Sequence, residues 1–317
     1  MTRRLRLLLL VAVLIATAVA VARSDPAAIV RALAAMSWRW AAIASVVNLI
    51  GIVIDATRLR IVVRAVGRLT MGNALRAQLM GIVGNVLFPF KLGEGARAFV
   101  LTRRHQLPIA TALAMVVLDR VIDALVLPLF VIVASVVLPL PASVLRFRTW
   151  MMLALSAATA LGIVIGRRLA RRHAAGTVPD AVGGTLDRIV AGMTVLGHRR
   201  RIAAAISASL ASWIARALIL WCMFRAFGLA LPVSAAVSVL VIVNLGIAVV
   251  ATPGNLGTFE LATAAALAIW GVPSETALSV GITTHVVEIV PPVVIGLLMS
   301  VRSHRRRQCN RTIWSVR

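Results

Sequence analysis

The chain contains no tyrosine, two cysteines, a single lysine and only ten acidic residues in 317. Each shortage excludes something. Cys222 and Cys309 form neither a metal-binding spacing nor a disulfide framework. Charged residues make up 14% of the chain, well below the roughly 25% of a soluble globular domain, so a water-solvated surface cannot be built over its length. Also missing are a Ser-His-Asp constellation, a His/Asp/Cys metal cluster, and a glycine-rich loop between a strand and a helix. The hydrophilic loops are too short for a nucleotide-binding domain. No metal and no cofactor is therefore expected. An intramembrane carboxylate can still do acid-base work, but the sequence gives no reaction to name.

What is present is apolar. At 61% hydrophobic residues and a mean hydropathy of +0.97, with several runs beyond the roughly 18 apolar residues that read as a span, the chain is expected to be an all-α polytopic membrane protein. Its formal charge of +24 lies in the connections between hydrophobic runs, where the positive-inside rule and anionic headgroups account for it without nucleic acid.

Taken in order, Arg3, Arg4 and Arg6 flank an apolar segment over 5 to 21, which reads as a span or, given Ala18-Val19-Ala20, as a cleaved signal peptide. A loop covers 23 to 37. A second span over 38 to about 54 ends in a basic flank of Arg58, Arg60, Arg64 and Arg68. Residues 73 to 88 and 95 to 102 are apolar but short, and read as a re-entrant hairpin. A long helix over 108 to 138 carries Asp119, Arg120 and Asp123 and a kink at Pro128. A span over 149 to 165 follows Arg146 and Arg148. Within the basic loop 167 to 201, Leu186, Ile189, Val190 and Met193 share one helical face, predicting an interfacial helix over 185 to 197. A span over 202 to 227 contains Arg216, segments 232 to 251 and 256 to 271 form a second hairpin, and the last span covers 273 to 301. The membrane domain is thus 1 to 301, and a basic tail covers 302 to 317.

The second half echoes the first. From Pro108, the offsets to Ala112, Leu113, Arg120 and Asp123 are 4, 5, 12 and 15, and Pro273 stands at the same offsets from Ala277, Leu278, His285 and Glu288. Repeat halves of about 5 to 139 and 149 to 301 are expected, each reading as span, span, hairpin, span. Three crossings per half is odd, so the halves have opposite topology: an inverted repeat of six spans and two hairpins. With the amino terminus in the cytoplasm, 26 of the 34 basic residues fall inside, six outside, and Arg120 and Arg216 within the bilayer. Both termini are accordingly expected inside.

The candidate site residues lie where charge or helix breakers enter the membrane. A charge at mid-bilayer costs at least about 2.5 to 3.5 kcal/mol and is kept with a partner or a wet cavity. Asp123 lies one turn from Arg120, and Asp119 lies beside it, so the trio fits a buried salt bridge or a guanidinium facing a lipid phosphate. At the hairpin tips, Pro89, Gly93 and Gly95 are matched by Pro253, Gly254 and Gly257. These residues break helices, and the helix after each break aims its first amides at the tip. Lys91 and Arg97 add positive charge there. Glu94 and Glu260 pair with those cations, with Arg216, or with His285. Trp213 and Trp221 read as packing or interfacial residues.

These residues carry a resemblance. Pro89-x-Lys91-x-Gly93-Glu94-x-x-Arg97, Asp119-Arg120-x-x-Asp123 and Pro253-Gly254-Asn255-Leu256-Gly257-x-x-Glu260 are similar, in this order, to three motifs of the lysylphosphatidylglycerol synthase membrane domain, a flippase-like family. The resemblance covers roughly 5 to 300. It lacks the soluble aminoacyl-transfer domain of the synthases, so it implies movement of lipids between leaflets rather than lipid aminoacylation. Lys91 stands for an Arg, Asn255 for a Gly, and His285 for an Arg, so His285 is a group that can titrate. The implied function is a lipid or lipid-linked-precursor flippase of the bacterial inner membrane that binds an anionic headgroup through Lys91, Gly93, Glu94, Arg97, Asp119, Arg120, Asp123, Arg216, Pro253, Gly254, Asn255, Gly257, Glu260, His285 and Glu288. The alternative is a membrane-embedded transferase, or an accessory subunit working with a partner transferase, on polyprenyl-phosphate or isoprenoid lipids. The sequence does not fix the oligomeric state.

Overall fold

A computed structural model describes residues 25–64, 66–87, 92–105, 107–138, 142, 199–250 and 252–314. Among them every regular element is helical: α1 (Pro26–Ala35), α2 (Trp38–Val63), α3 (Met71–Leu87), α4 (Gly93–His105), α5 (Ile109–Val137), α6 (Arg199–Ala226), α7 (Val233–Val249), a 3-10 turn (Pro253–Asn255), α8 (Thr258–Ala268) and α9 (Ser274–Trp314). Four of these, α2, α5, α6 and the 274–300 stretch of α9, are long and apolar enough to cross a bilayer, and α7 is a shorter apolar helix. The expected spans over 5 to 21 and 149 to 165 and the interfacial helix over 185 to 197 lie outside the described residues.

Local signals set the ends of these helices. At α1, Asp25 caps the helix with its carboxylate accepting from the Ala27 amide at 2.9 Å, and Pro26 occupies the first turn, where no amide is missed. Helices α6 and α8 stop by the same device. Gly228 (φ 68) and Gly271 (φ 73) turn left-handed, and the next amide reaches back five residues, Leu229 to Phe224 at 2.8 Å and Val272 to Leu267 at 3.3 Å. Helix α2 runs nine residues past the end expected from hydropathy at 54, because Asp55 and Arg58 interrupt the apolar run without interrupting the helix.

The first hairpin is held by absent side chains. A Cβ on Gly84 would fall 2.8 Å from the Gly93 Cα, one on Gly93 would strike the Gly81 carbonyl, and one on Gly81 would meet the Arg97 side chain at 2.5 Å. Helices α3 and α4 therefore touch backbone to backbone, a contact only small residues permit. Helices α7 and α8 pair similarly, with Gly246 facing Ala262.

Two apolar clusters fill the interior. One joins the second half of α2 with α3, α4 and the first half of α5, through Leu59, Val62, Leu101 and Met115. The other joins the start of α2 and the end of α5 with α6, α7, α8 and α9, through Phe130, Met223, Phe224 and Leu267. Between them lies a layer in which α2, α5 and α6 each place charged or hydroxyl side chains: Asp55 and Arg58, Asp119 and Asp123, Ser209 and Ser212. Membrane depth makes such a layer costly unless its members satisfy one another.

Candidate functional site

Six of the ten acids in the chain, Asp55, Glu94, Asp119, Asp123, Glu260 and Glu288, converge on this layer. Arg58 is its hub. Completely buried, it donates from Nε to Asp119 Oδ1 at 2.9 Å, from one terminal nitrogen to Ser209 Oγ at 3.0 Å and to Asp123, and lies 3.5 Å from Asp55. Arg97, also completely buried, binds the other Asp119 oxygen at 2.8 Å and Glu94 Oε2 at 2.8 Å. Asp119 thus sits between two guanidiniums. It is a structural keystone rather than a neighbour that neutralises Arg120, as local spacing suggested.

Arg120 turns the other way. Its Nε donates to Glu94 Oε1 at 2.9 Å and its terminal nitrogen lies 3.8 Å from Asp123, while its side chain stays 39% exposed. Arg216 pairs with Asp55 at 3.1 Å, lies over the Trp213 ring and is 36% exposed. Both arginines line a cavity of about 390 Å³, within the range of small-ligand sites. Around it stand Asp55, Glu94, Asp123 and Glu288, the amides Asn48, Gln78, Asn85 and Asn244, and Gly254, Asn255, Phe259 and His285 of the second half. Trp213 is buried, donating from Nε1 to the Asp123 carbonyl at 3.3 Å and stacking on Phe130.

The tip of the second hairpin reaches this cavity in an unusual backbone. Gly254 (φ 58), Asn255 (φ 59) and Gly257 (φ 79) are all left-handed. Asn255 is tolerated there because asparagine, after glycine, enters that region most readily, which is why it can stand where the motif has a glycine. Thr252 and Thr258 satisfy freed carbonyls, at Leu256 (2.7 Å) and Val250 (3.1 Å). The first amides of the helices after both breaks are already occupied. Gly257 donates to Glu260 Oε2 at 2.7 Å, and Gly93 donates to Asn85 Oδ1 at 2.9 Å. Glu260 Oε1 meets His285 Nδ1 at 2.6 Å, and His285 Nε2 meets the Gly254 carbonyl at 2.9 Å.

Glu288 makes no ion pair among the described residues, although Arg216 and His285 act on it at longer range. Its backbone is fixed by Asn48. The two hydrogens of the Asn48 amide go to the Val287 and Glu288 carbonyls, each at 3.0 Å. Those are the carbonyls four residues before Pro291 and Pro292, which have no amide hydrogen to offer them.

Of the expected residues, Glu94, Arg120, Asp123, Arg216, Gly254, Asn255, His285 and Glu288 line the cavity. Arg97, Asp119 and Glu260 stand behind them as ion-pair partners. Gly93, Pro253 and Gly257 shape the helix starts. Lys91 and Pro89 lie outside the described residues. Sequence reasoning missed Asp55, Arg58, Asn48, Ser209 and Ser212. Hydropathy alone places Arg58 in the basic flank of the second span. The available signal was an Asp three residues before it in a chain with ten acids, and Ser209, Ser212 and Arg216 recurring on one face of α6.

The family model described as "Lysylphosphatidylglycerol synthase TM region" matches residues 5–296. A UPF0104 membrane protein of Methanothermobacter thermautotrophicus is 29% identical over 92 residues, which is 29% of this chain and 28% of that protein. The chain therefore spans little more than a quarter of that relative's length.

Proposed function

Because the chain belongs to the lysylphosphatidylglycerol synthase transmembrane-region family and is a multi-pass membrane protein, we propose that it translocates a lipid or lipid-linked precursor by taking its phosphate-bearing headgroup into the cavity between the two hairpins. The observation that carries this reading is the pair Arg120 and Arg216, both more than a third exposed and both lining one cavity at the level of the buried charge layer. The Nε of Arg216 and the amide nitrogen of Gln78 have no partner among the described residues. They are donors in reserve for an anionic oxygen. The four carboxylates sharing the cavity require that the headgroup also present hydroxyl or ammonium donors. In this reading α3–α4 and α7–α8 are re-entrant hairpins of an inverted repeat, entering from opposite sides, with both termini cytoplasmic in a bacterial inner membrane.

The test is translocation of headgroup-labelled lipid by purified protein in liposomes. Arg120→Lys keeps the charge but loses the planar two-point contact with phosphate, and a hydrogen bond to a charged group is worth about 1.5 to 3 kcal/mol. Transport is expected to fall about tenfold or more while thermal stability stays near wild type. Wild-type transport by the Lys variant would remove Arg120 from the binding site. Recovery of chemically altered lipid would favour the transferase reading instead.

A further inference from the structure

The hydrogen bonds around His285 fix a proton count. Both ring nitrogens face acceptors: Nε2 the Gly254 carbonyl at 2.9 Å, and Nδ1 the Glu260 carboxyl at 2.6 Å. The carbonyl can only accept, so Nε2 carries a hydrogen. The second contact then needs one more, because a bare ring nitrogen and a carboxylate would oppose lone pair to lone pair. A neutral histidine beside an ionised glutamate is one proton short. The pair holds an extra, shared proton.

Its surroundings make that proton consequential. Phe259 stacks on the imidazole at 4.6 Å, and both His285 and Glu260 are buried. The charged groups facing the same cavity are Asp55 of α2, Glu94 of α4, Arg120 and Asp123 of α5, Arg216 of α6 and Glu288 of α9, and none comes from α3 or α7. All but Glu288 are engaged in ion pairs with one another or with Arg58 and Arg97. The network ends on the backbone of the hairpin tip. Gly254 lies in the left-handed tip, and a Cβ there would sit 3.7 Å from the Cα of Val86, near the end of α3. His285 therefore ties α9 to the tip of the second hairpin where that tip abuts the end of α3.

We propose that His285, Glu260 and the Gly254 carbonyl form an exchangeable-proton site that latches the second hairpin tip against the end of α3, so that releasing the proton opens the cavity at that tip. Loss of the proton from Nδ1 to cavity water leaves two acceptors facing each other. The ring swings away, and the Gly254 carbonyl loses its donor. Protons thereby become the coupling ion for whatever passes the tip. This adds to the translocation reading and rests on it only for the identity of the cargo.

The experiment uses the full chain in detergent micelles with no lipid substrate, so the latch and the translocation reading can fail separately. In a Cys222→Ala, Cys309→Ala background, alkylation of Val86→Cys is followed from mildly acidic to mildly alkaline buffer, and each rate is divided by that of the exposed Ser274→Cys to remove the intrinsic pH dependence of the thiol. The normalised rate is expected to rise about tenfold, an ordinary size for coupling between two sites. With Glu260→Gln the amide hydrogen replaces the shared proton and keeps every hydrogen bond, so the rate should stay slow at all pH values. With His285→Gln it should lose its pH dependence. A flat wild-type profile overturns the latch, as does a Glu260→Gln profile that still opens with pH. Glu260→Gln carries the test should His285→Gln not fold.

Discussion

The two halves of the molecule handle buried charge in opposite ways. Around the first hairpin, three arginines and three carboxylates interlock, so that Asp119 has no free oxygen and Arg58 spends its donors on side chains of α5 and α6. Around the second hairpin one histidine and one glutamate share a proton, and Glu288 makes no ion pair among the described residues. A guanidinium does not lose its proton in a protein, whereas an imidazole does so near neutrality. The first half is therefore built to hold its arrangement and the second to change it.

The comparison breaks most completely at Arg58. Arg58→Met should leave Asp119 and Asp123 buried without their principal partner, costing about 3 to 5 kcal/mol, and is expected to abolish recovery of folded protein; a melting temperature in detergent within a few degrees of wild type would contradict the role of Arg58 as hub. Next comes Gly93→Ala, which drives a methyl group into the Gly81 carbonyl and should cost about 1 to 3 kcal/mol by overpacking, read from the same thermal melt. Asn48→Leu removes both donors to the proline-freed carbonyls and should cost about 1 to 3 kcal/mol, with faster hydrogen exchange confined to the middle of α9 as its signature. Arg120→Ala sharpens the contrast from the other side. Its ion pair with Glu94 is partly exposed, so stability should shift by less than about 1 kcal/mol while liposome transport falls.

The smallest effect belongs to α1, away from both hairpins. The Ala27 amide bonded to the Asp25 carboxylate holds its pKa below the ordinary carboxylate value. Stability from this cap is present above the unfolded value and is lost as pH falls through the folded one. Hydrogen exchange of the first α1 amides should quicken over that acidic window in wild type and lose this dependence in Asp25→Ala, with the cavity undisturbed in both.

Much of the architecture was legible from hydropathy, because lipid forces the backbone into helices whose length the apolar runs record. Most of the described helices follow the expected segments, but α1 forms within the expected loop over 23 to 37 and α9 continues past 301 to Trp314; α3 ends at Leu87 and α4 begins at Gly93, and α7 ends at Val249 and α8 begins at Thr258, on either side of the proline and glycine positions. The end of α2 was not legible, since hydropathy reads Asp55 and Arg58 as departure from the membrane when they are departure from lipid into a polar interior. The charged motifs were found, but their pairing was not. Spacing along one helix joined Arg120 to Asp123, while the shorter contact, to Glu94, comes from another helix. Pairings between segments depend on packing through Gly81, Gly84 and Gly93, which hydropathy scores only as mildly apolar.

The Asn48 clamp bears on how the protein is assembled. In the bilayer, a helix with a double proline carries two bare carbonyls until something from outside supplies their hydrogens, and here both come from one side chain about 240 residues earlier. Helix α2 is synthesised long before α9, so the donor is waiting when the acceptors arrive. An α9 that inserts but fails to dock keeps two unsatisfied carbonyls facing lipid. Correct docking is thereby rewarded at one defined place, and a misassembled chain carries a local polar defect.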